Sequence, residues 1–169
     1  QKGRIEHFVS RKAMNIDGLG SETIAMLYDR GLIHDVADLY TLTVGKLARM
    51  ERLGEKSAQN IVDAVKKSTE VPFERVLFAL GIRYVGETVA KKLAAAFGSM
   101  QALSVAKREE LIAVDEIGER IADSLIEYFD DMRNMQLIER LTSFGVKMEG
   151  KVARAELSNK LEGLTIVIS

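Results

Sequence analysis

The stretch Ile82-Arg83-Tyr84-Val85-Gly86-Glu87, with Ala90 and Leu93 behind it, decides how this chain is read. An apolar residue stands four positions before a glycine. An acidic residue follows the glycine, and apolar residues then recur at helical spacing. This is a tight turn that opens into a helix. The pattern occurs three more times, at Ile16-Asp17-Gly18-Leu19-Gly20, Met50-Glu51-Arg52-Leu53-Gly54 and Val114-Asp115-Glu116-Ile117-Gly118. The closing glycines, at 20, 54, 86 and 118, are 34, 32 and 32 residues apart. Four residues after each comes Ile24, Ala58, Ala90 or Ala122, and seven after comes Leu27, Ile61, Leu93 or Leu125. Repetition at this period marks a stacked supersecondary unit.

The flanks define the unit. Ser21, Glu55, Glu87 and Glu119 follow the glycines, and a hydroxyl or carboxylate there suits the positive end of a helix dipole. Shorter apolar-periodic stretches precede the turns, at 8–14, 44–50, 73–80 and 109–114, and Pro72 suits a helix start. The unit is therefore helix, turn, helix. Repeats two and four align at a shift of 64 and repeats one and three at 66. One hairpin cannot bury both its faces, so the pairs are expected to share a core. The fold class is all-α: four hairpins arranged as two pseudo-symmetric double-hairpin units, at about 4–68 and 72–130. Connecting helices are expected at 36–40 and 99–106, and an amphipathic helix at 131–144 that ends at Gly145.

The character changes after Gly145. Residues 146–160 read as a polar linker closing the helical domain 1–145. Leu164-Thr165-Ile166-Val167-Ile168 is a β-branched run, a buried-strand signal. Within 161–169 it is expected to be the first strand of a further domain, sticky and mobile when unpaired.

Composition sets limits. The 169 residues are 47% apolar, enough for a packed core. No run of about 18 apolar residues is present to span a membrane. Gln1 is not a Met and no apolar leader follows it, so the sequence reads as an excised piece. With no Cys there is no disulfide, thiolate zinc site or Cys nucleophile. The net charge is −1. Residues 1–60 carry nine basic and eight acidic groups, and 61–150 carry 12 and 15. Any polyanion must therefore be held by local geometry rather than bulk charge.

Glycine ahead of a helix N-terminus lets a ligand approach the free N–H groups, which with the dipole bind phosphate. The candidate contacts are Gly18, Gly20 and Ser21 in the first hairpin, Gly54 and Lys56 in the second, and Arg83, Gly86, Thr88 and Lys91 at the third. Gly118 and Arg120 in the fourth, and Arg11 ahead of the first, complete the set. Such contacts read backbone, not sequence. A single glycine in a helix–helix turn is more often structural, and four in register shift the balance. The fourth hairpin, with Asp115, Glu116 and Glu119, is acidic and the weakest phosphate site. Lys66-Lys67 and Lys107-Arg108 read as solvated faces, His7 and His34 as surface or capping histidines, and the Met residues at helical spacing as core. No Ser-His-Asp spacing, P-loop or paired catalytic carboxylates occur.

These residues resemble helix–hairpin–helix repeats, motifs of non-sequence-specific DNA binding with the pattern apolar-x-Gly-apolar-Gly-x-x-x-Ala. Ala58, Ala90 and Ala122 match the last position and Ile24 departs from it. Phe8-Val9-Ser10-Arg11-Lys12-Ala13-Met14, Gly54-Glu55-Lys56-Ser57-Ala58 and Leu80-Gly81-Ile82-Arg83-Tyr84-Val85-Gly86-Glu87 resemble the C-terminal half of bacterial NAD⁺-dependent DNA ligases. The resemblance implies a four-Cys zinc module before the repeats and a BRCT domain after them, with Leu161-Glu162-Gly163-Leu164-Thr165-Ile166-Val167-Ile168 as its first strand. It implies nicked double-stranded DNA as partner, together with other domains of the same chain, a cytoplasmic, nucleoid-associated setting, and roles in replication and repair. NAD⁺, Mg²⁺ and Zn²⁺ belong to the full-length family. The family's adenylated lysine lies in Lys-x-Asp-Gly, whereas here Asn15-Ile16-Asp17-Gly18 puts Asn in that place, inside a hairpin. These residues alone are therefore expected to hold no cofactor and to be inactive. A helical protein-interaction module, or the DNA-binding tail of a repair nuclease or recombination protein, would share the same repeats.

Overall fold

A computed structural model describes residues 2–50 and 53–150. The helices are α1 (Lys2–Val9), α2 (Ser21–Asp29), a 3₁₀ helix (Val36–Thr41), α3 (Val44–Ala48), α4 (Glu55–Ser68) and α5 (Phe73–Ala79). They continue with α6 (Glu87–Phe97), α7 (Met100–Ser104), α8 (Arg108–Ile112), α9 (Glu119–Asp130) and α10 (Met132–Ser143). The strand expected at 164–168 lies outside the described residues, as do Glu51 and Arg52 of the second turn.

The helices that follow the turns begin at Ser21, Glu55, Glu87 and Glu119, in each case the residue after the glycine. The double-hairpin repeat is visible in the backbone. The 3₁₀ helix and α7, α3 and α8, and α4 and α9 start 64 residues apart, while α2 and α6 start 66 apart. Asn15 and Gly81 share a positive φ, of 52° and 69°, and so do Gly18 and Tyr84, at 90° and 70°.

The helix expected at 8–14 departs from this. α1 ends at Val9 and 10–14 form turns. The Ser10 hydroxyl donates to the His7 carbonyl at 2.6 Å, a local bond that competes with helix continuation. The amides of Met14, Asn15 and Ile16 reach back to Phe8, Ser10 and Val9. The carbonyls of Arg11 and Lys12 are thereby left to the Arg75 guanidinium, at 2.7 and 3.3 Å. A residue of the second unit thus fixes the lead-in to the first hairpin.

The two repeat columns that follow the glycines are core. Ile24, Ala58, Ala90 and Ala122, and Leu27, Ile61, Leu93 and Leu125, are at most 1% exposed. They join one continuous apolar cluster running through both units. His7 is a bolt between the units rather than a surface or capping group. Its Nε2–H donates to the Phe78 carbonyl at 2.8 Å and its ring meets Phe78 edge-on at 4.7 Å. Met14, Met50 and Met100 are buried, but Met132, at the start of α10, is 73% exposed.

α10 crosses back to the first unit. The Arg140 guanidinium donates to Asp35 at 3.1 Å and to Asp38 at 2.7 Å. Phe144 stacks on Tyr40, whose hydroxyl donates to Ser68 Oγ at 2.7 Å. Burial pushes the Tyr40 hydroxyl up to about 12. Burial also raises the Asp38 carboxyl. The Arg140 guanidinium and the amides of His34 and Asp35 outweigh that and hold it below the ordinary value. A depressed carboxylate contributes stability that is complete above the unfolded value, about 3.9, and is lost as the pH falls below it through the folded value. Arg140→Ala is expected to cost about 1 kcal/mol at neutral pH, the upper end for a partly exposed pair. Chemical denaturation at pH 7 and pH 3 checks this, because the difference from wild type should shrink at the lower pH.

Residues 146–150, assigned by sequence to the linker, pack on the helices. Val146 is buried. The Met100 amide donates to the Met148 carbonyl and the Gly150 amide to the Gly98 carbonyl, both at 2.8 Å, around a single antiparallel bridge between Ser99 and Glu149.

Candidate nucleic-acid interface

The chain caps its helices in two ways. Where a helix serves packing, a side chain usually closes its N-terminus. Asp35 does so for the 3₁₀ helix, Thr43 for α3, Ser99 for α7 and Asp131 for α10, each accepting from a first-turn amide. Where a helix follows a hairpin, glycine stands at the cap and no side chain accepts from the first turn. This holds for Gly20, Gly54, Gly86 and Gly118. The free N–H groups of α2, α4, α6 and α9 have no side-chain partner among the described residues.

These glycines are not required by the fold. Their φ angles, −75°, −83°, −87° and −90°, are open to any residue. The left-handed conformation that would demand glycine is absent from Gly54 and Gly86. A Cβ added at any of the four would meet nothing within 4 Å. Each therefore faces open space rather than a neighbouring side chain among the described residues. The left-handed conformation lies two residues earlier, at Gly18, Tyr84 and Glu116. Gly18 is needed there, since a Cβ would come within 3.1 Å of Ile61 Cγ1.

All twelve candidate residues are solvent-exposed. Lys56, Thr88 and Arg120 occupy the second position of α4, α6 and α9. Neither they nor Lys91 form an ion pair or side-chain hydrogen bond with another described residue. Arg11 and Lys91, from different units, line one groove of about 450 Å³ with Lys12 and Arg75, together with the carboxylates Glu74 and Glu87. Arg83 lies over its neighbour Tyr84, the guanidinium carbon 5.0 Å from the ring centroid. The Ser124 hydroxyl of α9 donates to the Arg83 carbonyl at 2.6 Å and pins that turn.

The fourth hairpin differs in charge. Lys92 pairs with Asp115 at 3.4 Å, and Arg108 pairs with Asp123 at 2.8 Å and Glu119 at 4.0 Å. Two cations are thereby spent on its acids, and Arg108 is a structural partner rather than a plain solvated face. The place of Arg75 in this groove was not legible, for nothing in its local sequence distinguishes it.

The sequence has no Cys, and among the described residues no three His, Asp or Glu side chains gather in a metal-binding group. No described helix is long and apolar enough to cross a membrane.

Four glycine-capped helices behind matching turns define a class. Residues 10–67 match the SAM-like helix-hairpin-helix tandem and residues 75–138 the helix-hairpin-helix motif. The two stretches divide where the 64- and 66-residue shifts divide the chain, and the fold is a pair of helix–hairpin–helix units. Over 99% of its length the chain is 58% identical to a DNA ligase of Phocaeicola vulgatus and 58% identical to one of Parabacteroides distasonis. It is 54% identical to a DNA ligase of Christiangramia forsetii. By this homology the chain belongs to the DNA ligase family, and it spans about a quarter of the length of the curated relatives it matches.

Proposed function

We propose that this chain is the part of an NAD⁺-dependent DNA ligase that grips nicked duplex DNA, without regard to sequence, through phosphate contacts at its hairpins. The observation that carries this is the set of glycine caps, which neither backbone angle nor packing explains. Phosphate oxygens fit what they leave open: free amides, a positive dipole end and no side chain in the way. Gly20 and Ser21, Gly54 and Lys56, and Gly86 with Arg83, Thr88 and Lys91 take the main contacts. Arg11 adds charge beside the first hairpin, and Gly18 shapes its turn. Gly118 and Arg120 contribute less, because the fourth hairpin is acidic. The joining of a 3′-hydroxyl to a 5′-phosphate, with NAD⁺ as AMP donor, falls to other domains of the same protein, in bacterial replication and repair. The helical domain leads through its linker to the first strand of a BRCT domain at 161–169.

A titration of nicked duplex at several salt concentrations tests this. Three or four phosphates give a log–log slope of roughly −3 to −4, with dissociation constants on the order of 10⁻⁴ to 10⁻⁶ M at physiological salt. A flat salt response would mean the hairpins are structural turns.

A further inference from the structure

Tyr84 breaks a local rule that the rest of its hairpin obeys. It holds a left-handed φ of 70°, which bulky side chains resist. The position 66 residues earlier holds Gly18 at φ 90°. Among the described residues, no buried contact repays the aromatic ring. Tyr84 is 47% exposed, and its one side-chain partner among the described residues is the Arg83 guanidinium stacked on it. Glycine or asparagine would hold this turn more easily. The ring stands two residues before Gly86, beside the amides of α6, in a turn that Ser124 already fixes from behind.

We propose that Tyr84 is a DNA-contacting residue, its ring lying against the sugar face of one strand while Arg83, held on that ring, takes the adjoining phosphate. The inference rests on the phosphate-gripping reading and adds an uncharged contact to it. What adjoins a phosphate along a strand is a deoxyribose, an apolar surface that matches an exposed ring. Sugar contacts carry no sequence information, so the grip stays sequence-independent. Stacking also holds the guanidinium in place before DNA arrives, so less freedom is lost on binding.

The test titrates nicked duplex with the full 169-residue chain and with Tyr84→Asn, Tyr84→Phe, Arg83→Gln and Gly86→Ser. Tyr84→Asn is expected to melt no lower than wild type, because Asn tolerates the left-handed turn. It should weaken binding about fivefold, the order expected for losing one buried ring face, and leave the salt slope unchanged. Tyr84→Phe should bind as wild type, while Arg83→Gln should make the slope shallower by roughly one. Unchanged affinity in Tyr84→Asn, an equal loss in Tyr84→Phe, or a large fall in melting temperature in Tyr84→Asn would each overturn the proposal. If Gly86→Ser weakens binding and Tyr84→Asn does not, only the role of Tyr84 fails. If neither does, the hairpin reading fails with it.

Discussion

Replacing Gly86 or Gly54 by serine is expected to leave the fold as stable as before and to weaken binding to nicked duplex about 10- to 100-fold. Serine is at least as good a helix cap as glycine, so the change should be neutral or stabilising by a few tenths of a kcal/mol. Both positions have φ angles that serine adopts freely, and a new Cβ meets no atom within 4 Å. The loss would come from the outside. A side chain would stand where a phosphate must approach, and its hydroxyl would take the amide that the phosphate needs. A hydrogen bond to a charged group is worth about 1.5–3 kcal/mol, which gives that range of affinity. Gly86→Val and Gly54→Val should lose as much binding, with up to ~1 kcal/mol of stability because valine caps poorly. Lys66 and Lys107, exposed and away from the caps, should matter less when replaced. Fluorescence anisotropy for binding and thermal melting for the fold, read on the same samples, separate the two effects. Glycine variants that bind normally would leave the caps without a ligand role.

Two residues from such a cap, the same kind of substitution should do the opposite. Gly18→Val is expected to destabilise the fold by roughly 2–6 kcal/mol: about 1–3 for holding a β-branched residue in a left-handed conformation, and about 1–3 for overpacking. The φ of 90° and the 3.1 Å approach to Ile61 Cγ1 are the causes. Ile61 is 1% exposed and cannot give way without disturbing α4. Chemical denaturation measures the loss, and an unchanged midpoint would show that the first turn relaxes at little cost. Gly20→Val, by contrast, should behave like Gly86→Val. On the proposed reading, the two glycines of the first hairpin serve different masters, one the packing of the chain and the other its ligand.

Much of this architecture was legible in the residues themselves. The four glycines with their columns at four and seven positions on set the starts of α2, α4, α6 and α9 to the residue, because helix caps are local chemistry. The double period gave the pairing of hairpins. The end of α1 was missed because the apolar spacing of 8–14 hides the Ser10 hydroxyl bond to the His7 carbonyl, and the turn that follows is held by Arg75, 64 residues from Arg11. His7 was misjudged because its partner Phe78 lies 71 residues away. At the candidate interface, sequence placed the glycines at the helix starts, but it could not tell that Gly54 and Gly86 hold ordinary extended φ angles. The left-handed conformation sits at Gly18, Tyr84 and Glu116, where only the dihedral angles reveal it. Tyr84 carried one signal, a bulky residue where the first repeat has glycine.

The reach of α10 back to the 3₁₀ helix sets an order of events at the ribosome. Arg140 meets Asp35 across 105 residues. At a synthesis rate of about 5–20 residues per second, the first two hairpins, complete at Ser68, wait on the order of 4–14 s for the arginine that locks them. During that interval Tyr40 lacks Phe144, and the carboxylates of Asp35 and Asp38 lack their cation. The nascent first unit is therefore looser than it will be in the finished chain. Its last contacts form only when the second unit is already complete and can carry α10 into place.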